Sequence, residues 1–321
     1  MLTAYAISTR GPEPLAPGSG STPAWIDLYE PTEVEEREAE AFLGGLIPTR
    51  EETREIEFSS RFYIEDGILF MTASLLVGVD QGTPGLTPFT FAVRKDRLVT
   101  LRYADMTAFK QFMQRAPKSD FPCTTPAGAF AGLLDAFIDR TADVIERISQ
   151  SVAKLNDEIF DRKSGPRRRR SLATSLEGLG EQGNLASKAR ESLASLERLV
   201  QYASAMMPER AVKADSLPAR LKLMLRDIRS LEDHVTFVLG KITFLLDATL
   251  GLISNEQNRV VSVLTVVSTI LLPPMVIATI YGMNFRDMPE LTWAFGYPVA
   301  LTVMVLSAIL PYLYFKWRGW L

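Results

Sequence analysis

The sequence predicts an α+β protein: a cytoplasmic α/β N-terminal domain, then a long helical stalk, then two C-terminal transmembrane helices. Three observations support this prediction. Strand and turn patterns lie within the first 120 residues, helical spacing of apolar residues begins at Ala127, and two long uncharged segments follow Arg259. We therefore divide the chain into an α/β domain, a helical hairpin with a stalk helix, and a two-helix membrane region with a short external loop, at residues 1–125, 126–258 and 259–321.

The first domain begins with a strand pattern, AWIDLYEP, followed by the start of a helix. Thr32 is the expected N-cap, and Glu35 three residues later completes a capping box. The stretch PTREETREIE repeats this signature with Thr49 and Glu52, and so predicts a second helix start. These features are typical of helices that flank a sheet.

Two further stretches predict strand pairs. In RFYIEDGILFMTASLLVG, the dipeptide Asp66-Gly67 separates two apolar stretches and is a strong hairpin signal. In FTFAVRKDRLVTLRY, the chain is expected to turn near Lys95-Asp96. Together with the first strand, these pairs predict a mixed sheet.

The next region is helical. Apolar residues recur at helical spacing from Phe130 to Ile159, and Ser164-Gly165-Pro166 interrupts the pattern. A basic run, Arg167–Arg170, follows; such runs can bind nucleic acid or lipid head groups, but are more often a solvated helix start or turn. A second helix is expected to extend to about Met207.

A third helical stretch begins near Leu217-Pro218 and carries an apolar stripe with a spacing of three or four residues. No Gly-Pro break separates this stripe from the first uncharged segment. We therefore expect one helix of about 60 residues, roughly 90 Å long, that starts in water and continues into the membrane. Such a stripe needs partner helices. Its members are Leu221, Leu225, Ile228, Leu231, Val235, Leu239, Ile242, Leu246, Leu250 and Ile253.

Composition excludes several classes of function. The formal net charge of -3 implies no strong electrostatic preference for nucleic acid or anionic lipid. One cysteine, Cys123, and one histidine, His234, cannot form an internal disulfide or a recurring zinc-ligand spacing. No phosphate loop is present, so we do not expect an enzyme, and we expect no resident cofactor. The first 20 residues lack an apolar signal-peptide core, so the amino-terminal region is expected to stay in the cytoplasm.

The two uncharged segments, Val260–Ile280 and Tyr297–Phe315, are each long enough to cross about 30 Å of hydrocarbon. The alternative, two buried helices of a soluble core, is disfavoured because the segments adjoin and nothing follows to cover them. Basic residues at Arg259, Lys316 and Arg318 favour cytoplasmic termini and an external loop between the spans.

Two helices per chain cannot enclose a pore, so a transport path requires several chains around an axis. The first span is the better candidate because small hydroxyl residues recur on one face, although helix–helix packing enriches the same residue types. Pro273-Pro274 leave the carbonyls of Thr269 and Ile270 without N–H partners, which is tolerated where they face protein or water. The second span is typical of a lipid-facing anchor, with aromatic residues near its ends at Tyr297, Tyr312, Tyr314, Trp317 and Trp320.

One combination of motifs is specific. Tyr281-Gly282-Met283-Asn284, the following MPEL sequence, the preceding GLISNEQNR and the final PYLYFKWRGWL together resemble the CorA family of magnesium and cobalt transporters. The resemblance extends over the whole chain. It implies transport of magnesium, and also of cobalt and nickel, across the plasma (inner) membrane by a multi-pass homopentameric channel that cytosolic magnesium holds shut.

The resemblance implies a selectivity filter at Gly282, Met283 and Asn284. Magnesium dehydrates reluctantly, and the first span contains no Asp or Glu. A ring of Asn284 amides would instead accept hydrogen bonds from the waters of a hydrated ion. Gly282 would let the backbone turn; as an alternative, Asn284 is a simple helix C-cap. The resemblance also implies pore-lining positions at Asn258, Val261, Leu264, Ser268, Leu272, Met275 and Thr279.

The resemblance also identifies charged positions. Several relatives have an acidic residue after GMNF, where this chain has Arg286, so Glu290 becomes the main external residue to attract cations. LRDIRSLEDH resembles the stalk segment that carries a regulatory magnesium ligand, which points to Asp227; the alternative is an ordinary surface Asp beside Arg226 and Arg229. Two other functions stay open: a zinc transporter of the same superfamily, or a membrane-anchored scaffold or sensor that does not conduct.

Overall fold

The computed structural model confirms the predicted architecture of a mixed sheet, long helices and two apolar C-terminal helices. The chain forms two compact units, one of Met1–Asp161 with Thr174–Leu245 and one of Arg162–Ala173 with Leu246–Leu321. The side chains of Phe58 and of residues 166–171 are outside the description. The structure describes residues 1–8, 11–16, 23–55, 57–95, 97–116, 125–160, 166–207, 217–284, 288–289 and 293–319.

The sheet has seven strands in the order β2-β1-β3-β7-β6-β5-β4. Among the strands that the structure describes, β3 and β7 are the one parallel pair, so the sheet is mixed as predicted. Both predicted hairpins form, and Asp66 and Gly67 have φ angles of 50° and 75°, which suits a two-residue hairpin turn. The strands are β1 (Leu2–Ser8), β2 (Gly11–Pro14), β3 (Trp25–Tyr29), β4 (Phe62–Glu65), β5 (Ile68–Val77), β6 (Gly85–Arg94) and β7 (Arg97–Arg102).

Seven α-helices lie in the described part of the chain. The longest has 65 residues, about 100 Å, and confirms the prediction of a single stalk helix that continues into the first span. The fifth begins at Pro166, which suits a first helical position because proline has no N–H to satisfy. The helices are α1 (Glu33–Leu43), α2 (Phe58–Arg61), α3 (Thr107–Arg115), α4 (Pro126–Phe160), α5 (Pro166–Met206), α6 (Leu217–Tyr281) and α7 (Gly296–Trp317).

The two predicted capping boxes have different outcomes. Glu35 accepts hydrogen bonds from the backbone N–H of Thr32 at 2.9 Å and from its hydroxyl at 3.1 Å. The backbone bond from Thr32, together with bonds from the N-terminal ammonium and the Leu2 N–H, lowers the pKa of Glu35 to about 2. Glu52 accepts the same pair from Thr49, at 2.8 and 3.0 Å, but only a 3₁₀ turn, Glu52–Arg54, follows. A capping box fixes one turn only, and this turn has a single buried residue and no apolar face to extend it.

A buried ion pair joins the two parallel strands. Asp27 of β3 is 2% exposed; it accepts hydrogen bonds from the Thr100 hydroxyl at 2.7 Å and from Arg102 Nε at 3.0 Å. Burial raises the pKa of Asp27, while Arg102 acts in the opposite direction. The Arg102 guanidinium also lies 4.3 Å from the ring of Phe109, so the pair attaches α3 to the sheet.

Helix α5 completes an open edge of the sheet. Strand β4 pairs only with residues 68–71 of β5, which leaves backbone N–H groups beyond them without a strand partner. The N–H of Ser74 donates to Ser195 Oγ at 2.8 Å, and that of Leu76 donates to Ser192 Oγ at 3.3 Å. Buried serines therefore attach α5 to the sheet edge.

The apolar stripes of the long helices follow the predicted spacing. On α4, Leu155 is half-buried, whereas the other large apolar residues from Phe130 to Ile159 are buried. On α6, Leu250 departs from the stripe, with 53% of its surface exposed. The buried stripe positions of α6 are Leu221, Ile228, Val235 and Ile242, and sequence analysis missed Met224, Val238 and Leu245, which are also buried.

Candidate functional site

The polar segment begins where α6 ends. The last helical residue is Tyr281; the N–H of Gly282 then donates to Ala278 O at 3.0 Å and that of Met283 to Ile280 O at 3.2 Å. Asn284 is exposed and lies three residues beyond the helix. The C-cap alternative for Asn284 therefore does not match the backbone, and its side chain is available to a ligand.

Gly282 was expected to let the backbone turn, and its backbone conformation is not the left-handed one that glycine often supplies in turns. It is not among the described glycines with positive φ, so the turn does not use the left-handed conformation. A Cβ at this position would lie 3.3 Å from Ala278 O and 3.5 Å from Thr279 O. The first distance is tight by a few tenths of an ångström and the second is ordinary van der Waals contact, so the position favours a small residue only weakly.

The predicted pore face of α6 is exposed along its whole length in the single chain. Met275 is 70% exposed, whereas Val266, elsewhere on the helix, is 2% exposed and Ile270 and Ile277 are half-buried. Only a narrow strip of the span packs within the described part of the chain, and the rest of its surface is exposed, including positions off the predicted face such as Val263, Val267 and Leu271. All the predicted positions are exposed: Asn258, Val261, Leu264, Ser268, Leu272, Met275, Thr279 and Asn284.

Threonine hydroxyls on this helix have a fixed hydrogen-bond role. Thr265 Oγ1 donates to Val261 O at 2.8 Å, and Thr279 Oγ1 donates to Met275 O at 2.7 Å. Because each hydroxyl hydrogen is used by the backbone, the oxygen offers its lone pairs outward as an acceptor. This arrangement suits a species that presents O–H or N–H donors.

The second span has the predicted aromatic ends. Tyr297 and Trp317, at opposite ends of α7, are 76% and 80% exposed, and Tyr312 and Tyr314 are also exposed. Both α6 and α7 contain segments long and apolar enough to cross a membrane. Trp320 lies outside the described residues.

Asp227 interacts electrostatically with two acidic residues of α4. Asp227 is exposed on α6, and its charge raises the pKa of both Asp135 and Asp139, for which burial is the larger cause. Asp135 accepts a hydrogen bond from Arg220 Nε at 2.8 Å. Sequence analysis missed these α4 carboxylates, although their four-residue spacing places them on one helix face.

A complete metal site is not formed by these acids alone. Within the described part of one chain, no group of three or more His, Cys, Asp or Glu side chains is close enough to hold a metal ion. His234 is exposed, and its Nε2 lies 3.1 Å from Ser149 Oγ. Several predicted positions lie outside the described residues: Asp96, Cys123, Arg286 and Glu290.

Comparison with known proteins decides the family. Residues 20–317 match the family of the CorA-like Mg2+ transporter protein. The chain belongs to this family. It is 36% identical over 304 residues to the magnesium transport protein CorA of Pasteurella multocida, and 34% identical over 304 residues to that of Escherichia coli K12. Each match covers 92% of both sequences.

Solved structures of the CorA fold agree. The complete CorA magnesium transporter of Methanocaldococcus jannaschii superposes with a TM-score of 0.74 at 18% identity, covering 100% of this chain and 99% of that one. The full-length CmaX protein gives 0.68 at 14% identity, covering 98% and 96%. The cytoplasmic domain of ZntB from Vibrio parahaemolyticus gives 0.57 at 9% identity, covering 80% and 97%. At such identities the likeness shows the fold alone, so it does not favour zinc.

Proposed function

We propose that this CorA-like chain conducts magnesium across the plasma (inner) membrane as a homopentameric channel, and that cobalt and nickel share the path. Family membership and relatives named magnesium transport proteins support the proposal. The observation that carries it is the exposed face of α6, which combines hydroxyl acceptors with apolar positions and ends at Asn284.

The exposed surface of α6 is consistent with an oligomer. The predicted pore face combines apolar side chains with Asn258, Ser268 and Thr279, and it cannot conduct ions when it faces lipid. In a ring of chains, each chain would contribute one such face. The ring would enclose a path for the ion and would also shield these faces from lipid. Leu264, Leu272 and Met275 would then form a hydrophobic constriction that closes by dewetting.

The chemistry suits a hydrated ion. The span offers hydroxyl, amide and carbonyl oxygens and no carboxylate, and magnesium releases its waters reluctantly. Pro273 and Pro274 leave the carbonyls of Thr269 and Ile270 without their N–H partners, because α6 continues through both prolines. A ring of Asn284 amides would bind the outward O–H groups of the ion's water shell and act as the filter.

The charge pattern favours one topology. Arg259 precedes the first span, and Lys316 and Arg318 follow the hydrophobic part of α7. Positive charge is retained on the cytoplasmic side, so both termini would lie there and the short loop outside.

Magnesium uptake by proteoliposomes that contain the purified protein tests the proposal. Uptake that exceeds that of empty liposomes, from an oligomer of five subunits, is the expected result. Zinc uptake measured in parallel tests the alternative that the protein is a zinc transporter. A folded, assembled protein without any divalent flux would indicate the scaffold or sensor instead.

We also propose that Asp227 binds regulatory magnesium. Its carboxylate and those of Asp135 and Asp139 are hard oxygen donors of the type magnesium prefers. Because the described residues of one chain do not complete a site, further ligands would come from a neighbouring subunit or from water. Magnesium bound there would hold subunits together and keep the channel closed.

Replacing Asp227 with alanine or lysine is expected to change gating rather than conduction. Without the carboxylate, more magnesium should be needed to protect the cytoplasmic region from protease, while uptake at low internal magnesium continues. Asp157→Ala, which removes an exposed Asp from the far part of α4, is the matched control. If the magnesium concentration that gives half-maximal protection from protease is unchanged, Asp227 is an ordinary surface residue.

Cobalt hexaammine is expected to block magnesium uptake from the external side. This octahedral complex keeps its ligands and points N–H donors outward, so acceptors that suit hydrated magnesium suit it too. Glu290→Gln should weaken the block, and less so at high salt, because exposed charges are screened beyond about 8 Å at physiological ionic strength. Uptake indifferent to the complex would indicate that the ion binds after losing its waters.

A further inference from the structure

A cavity of about 420 Å³ lies between the end of α6 and the beginning of α7, two residues before Asn284. Its described lining extends from Ala278 to Gly282 on α6 and from Trp293 to Met304 before and along α7. We infer that this cavity binds an acyl chain of a phospholipid from the leaflet at this end of the spans, which is the external leaflet in the proposed topology. The inference rests on the proposed insertion of α6 and α7 into a membrane, and it does not depend on which ion is conducted.

The cavity exists because small residues line it. Five of the ten described lining residues are Gly or Ala, namely Ala278, Gly282, Ala294, Gly296 and Ala300. In membrane spans, small residues usually let two helices approach closely. Here they leave a space between α6 and α7 instead, and its volume falls in the range of small-molecule sites, roughly 300–1,000 Å³.

The lining favours an apolar ligand without charge. None of the described lining residues is Asp, Glu, Lys, Arg or His, and Leu301 and Met304 add an aliphatic wall on α7. A charged group that entered this space would lose its water without gaining a partner of opposite charge. Apolar cavities, in contrast, bind apolar molecules of matching size.

Three aromatic residues place the cavity at the membrane interface. Tyr281 is the last residue of α6, and Trp293 and Tyr297 lie near the beginning of α7, with 57% and 76% of their surfaces exposed. Tyr and Trp concentrate at the level of the headgroups, where the ring contacts hydrocarbon and the O–H or N–H group reaches a polar partner. A phospholipid has the same arrangement, so its acyl chain can occupy the cavity while its headgroup stays beside these polar groups.

The dimensions favour an acyl chain over a helix from a second copy of the chain. From Gly296 to Met304, the α7 wall of the cavity is about 12 Å long. A helix of 10–12 Å diameter would occupy roughly 900–1,400 Å³ over that length, more than twice the volume of the cavity. An acyl chain is much thinner than a helix and bends at each bond, so it can fill the space.

Native mass spectrometry of the full-length protein in detergent tests the inference, with dioleoylphosphatidylcholine as the probe. After loosely bound lipid is exchanged for detergent, the wild-type oligomer should retain about one phospholipid per subunit. Leu301→Trp, which puts a larger side chain into the cavity, should retain at least fivefold less. The matched control is Leu306→Trp, an exposed position of the same helix outside the cavity lining, which should retain as much as the wild type.

Further arms keep the result decisive. Size-exclusion chromatography shows whether Leu301→Trp assembles; if it does not, Ala278→Phe, which fills the cavity from α6, should show the same loss. Lysophosphatidylcholine, which has one acyl chain, should compete with the probe, and glycerophosphocholine, which has none, should not.

Three outcomes would overturn the inference. They are competition by glycerophosphocholine, which would indicate binding through the headgroup, a wild-type oligomer that retains no phospholipid, and full retention by an assembled Leu301→Trp oligomer. Magnesium uptake by the wild-type protein separates this inference from the proposed channel. Uptake without retained phospholipid contradicts only the acyl-chain site, and retained phospholipid without uptake contradicts only the channel.

Discussion

Replacing Asn284 with alanine is expected to abolish magnesium uptake while the oligomer stays assembled. Asn284 is exposed beyond the end of α6 and has no structural role in capping the helix, so its removal should not unfold the span. The variant loses one amide acceptor per subunit, and therefore the whole proposed ring. Uptake by proteoliposomes should fall at least a hundredfold, to the level of empty liposomes.

The control for this variant is Asn184→Ala, which removes an exposed asparagine of α5. It should leave uptake unchanged. Size-exclusion chromatography of both variants checks assembly. Near-normal uptake by an assembled Asn284→Ala protein would contradict the filter, whereas loss of assembly in that variant alone would show that Asn284 supports the subunit interface instead.

Local signals in the sequence were enough to predict most secondary structure. Thr32 with Glu35, and Asp66 with Gly67, fix backbone geometry through neighbouring residues, and both predictions are confirmed. The long helix α6 was predictable because its apolar spacing has no break. The helix predicted to start at Thr49 does not form, because a capping box starts a helix but tertiary packing must extend it.

The features that sequence analysis did not predict depend on contacts between segments far apart in the chain. Nothing near Ser195 in the sequence indicates that its hydroxyl oxygen would accept a hydrogen bond from the N–H of Ser74. The approach of Asp135 and Asp139 to Asp227 likewise joins helices far apart in the chain. The function of Asn284 was predicted through family motifs, and its ring stays a prediction because it depends on other copies of the chain.

Arg102→Met is expected to destabilise the sheet domain strongly. The substitution leaves the Asp27 carboxylate buried without its ion-pair partner, since Thr100 alone cannot neutralise the charge. Removing one member of a buried pair costs about 3–5 kcal/mol. For a domain of this size, that corresponds to a melting temperature lower by about 6–20 °C.

Differential scanning fluorimetry of the full-length protein in detergent measures this shift. The control is Arg37→Met, which breaks an exposed pair with Glu33 and should change the melting temperature by less than about 2 °C. Asp27→Leu combined with Arg102→Met should recover much of the loss, because it replaces the pair with apolar groups and leaves no buried charge. If the double variant were as unstable as Arg102→Met, the loss would come from the packing of Arg102 against Phe109 and Tyr29 rather than from the unpaired carboxylate.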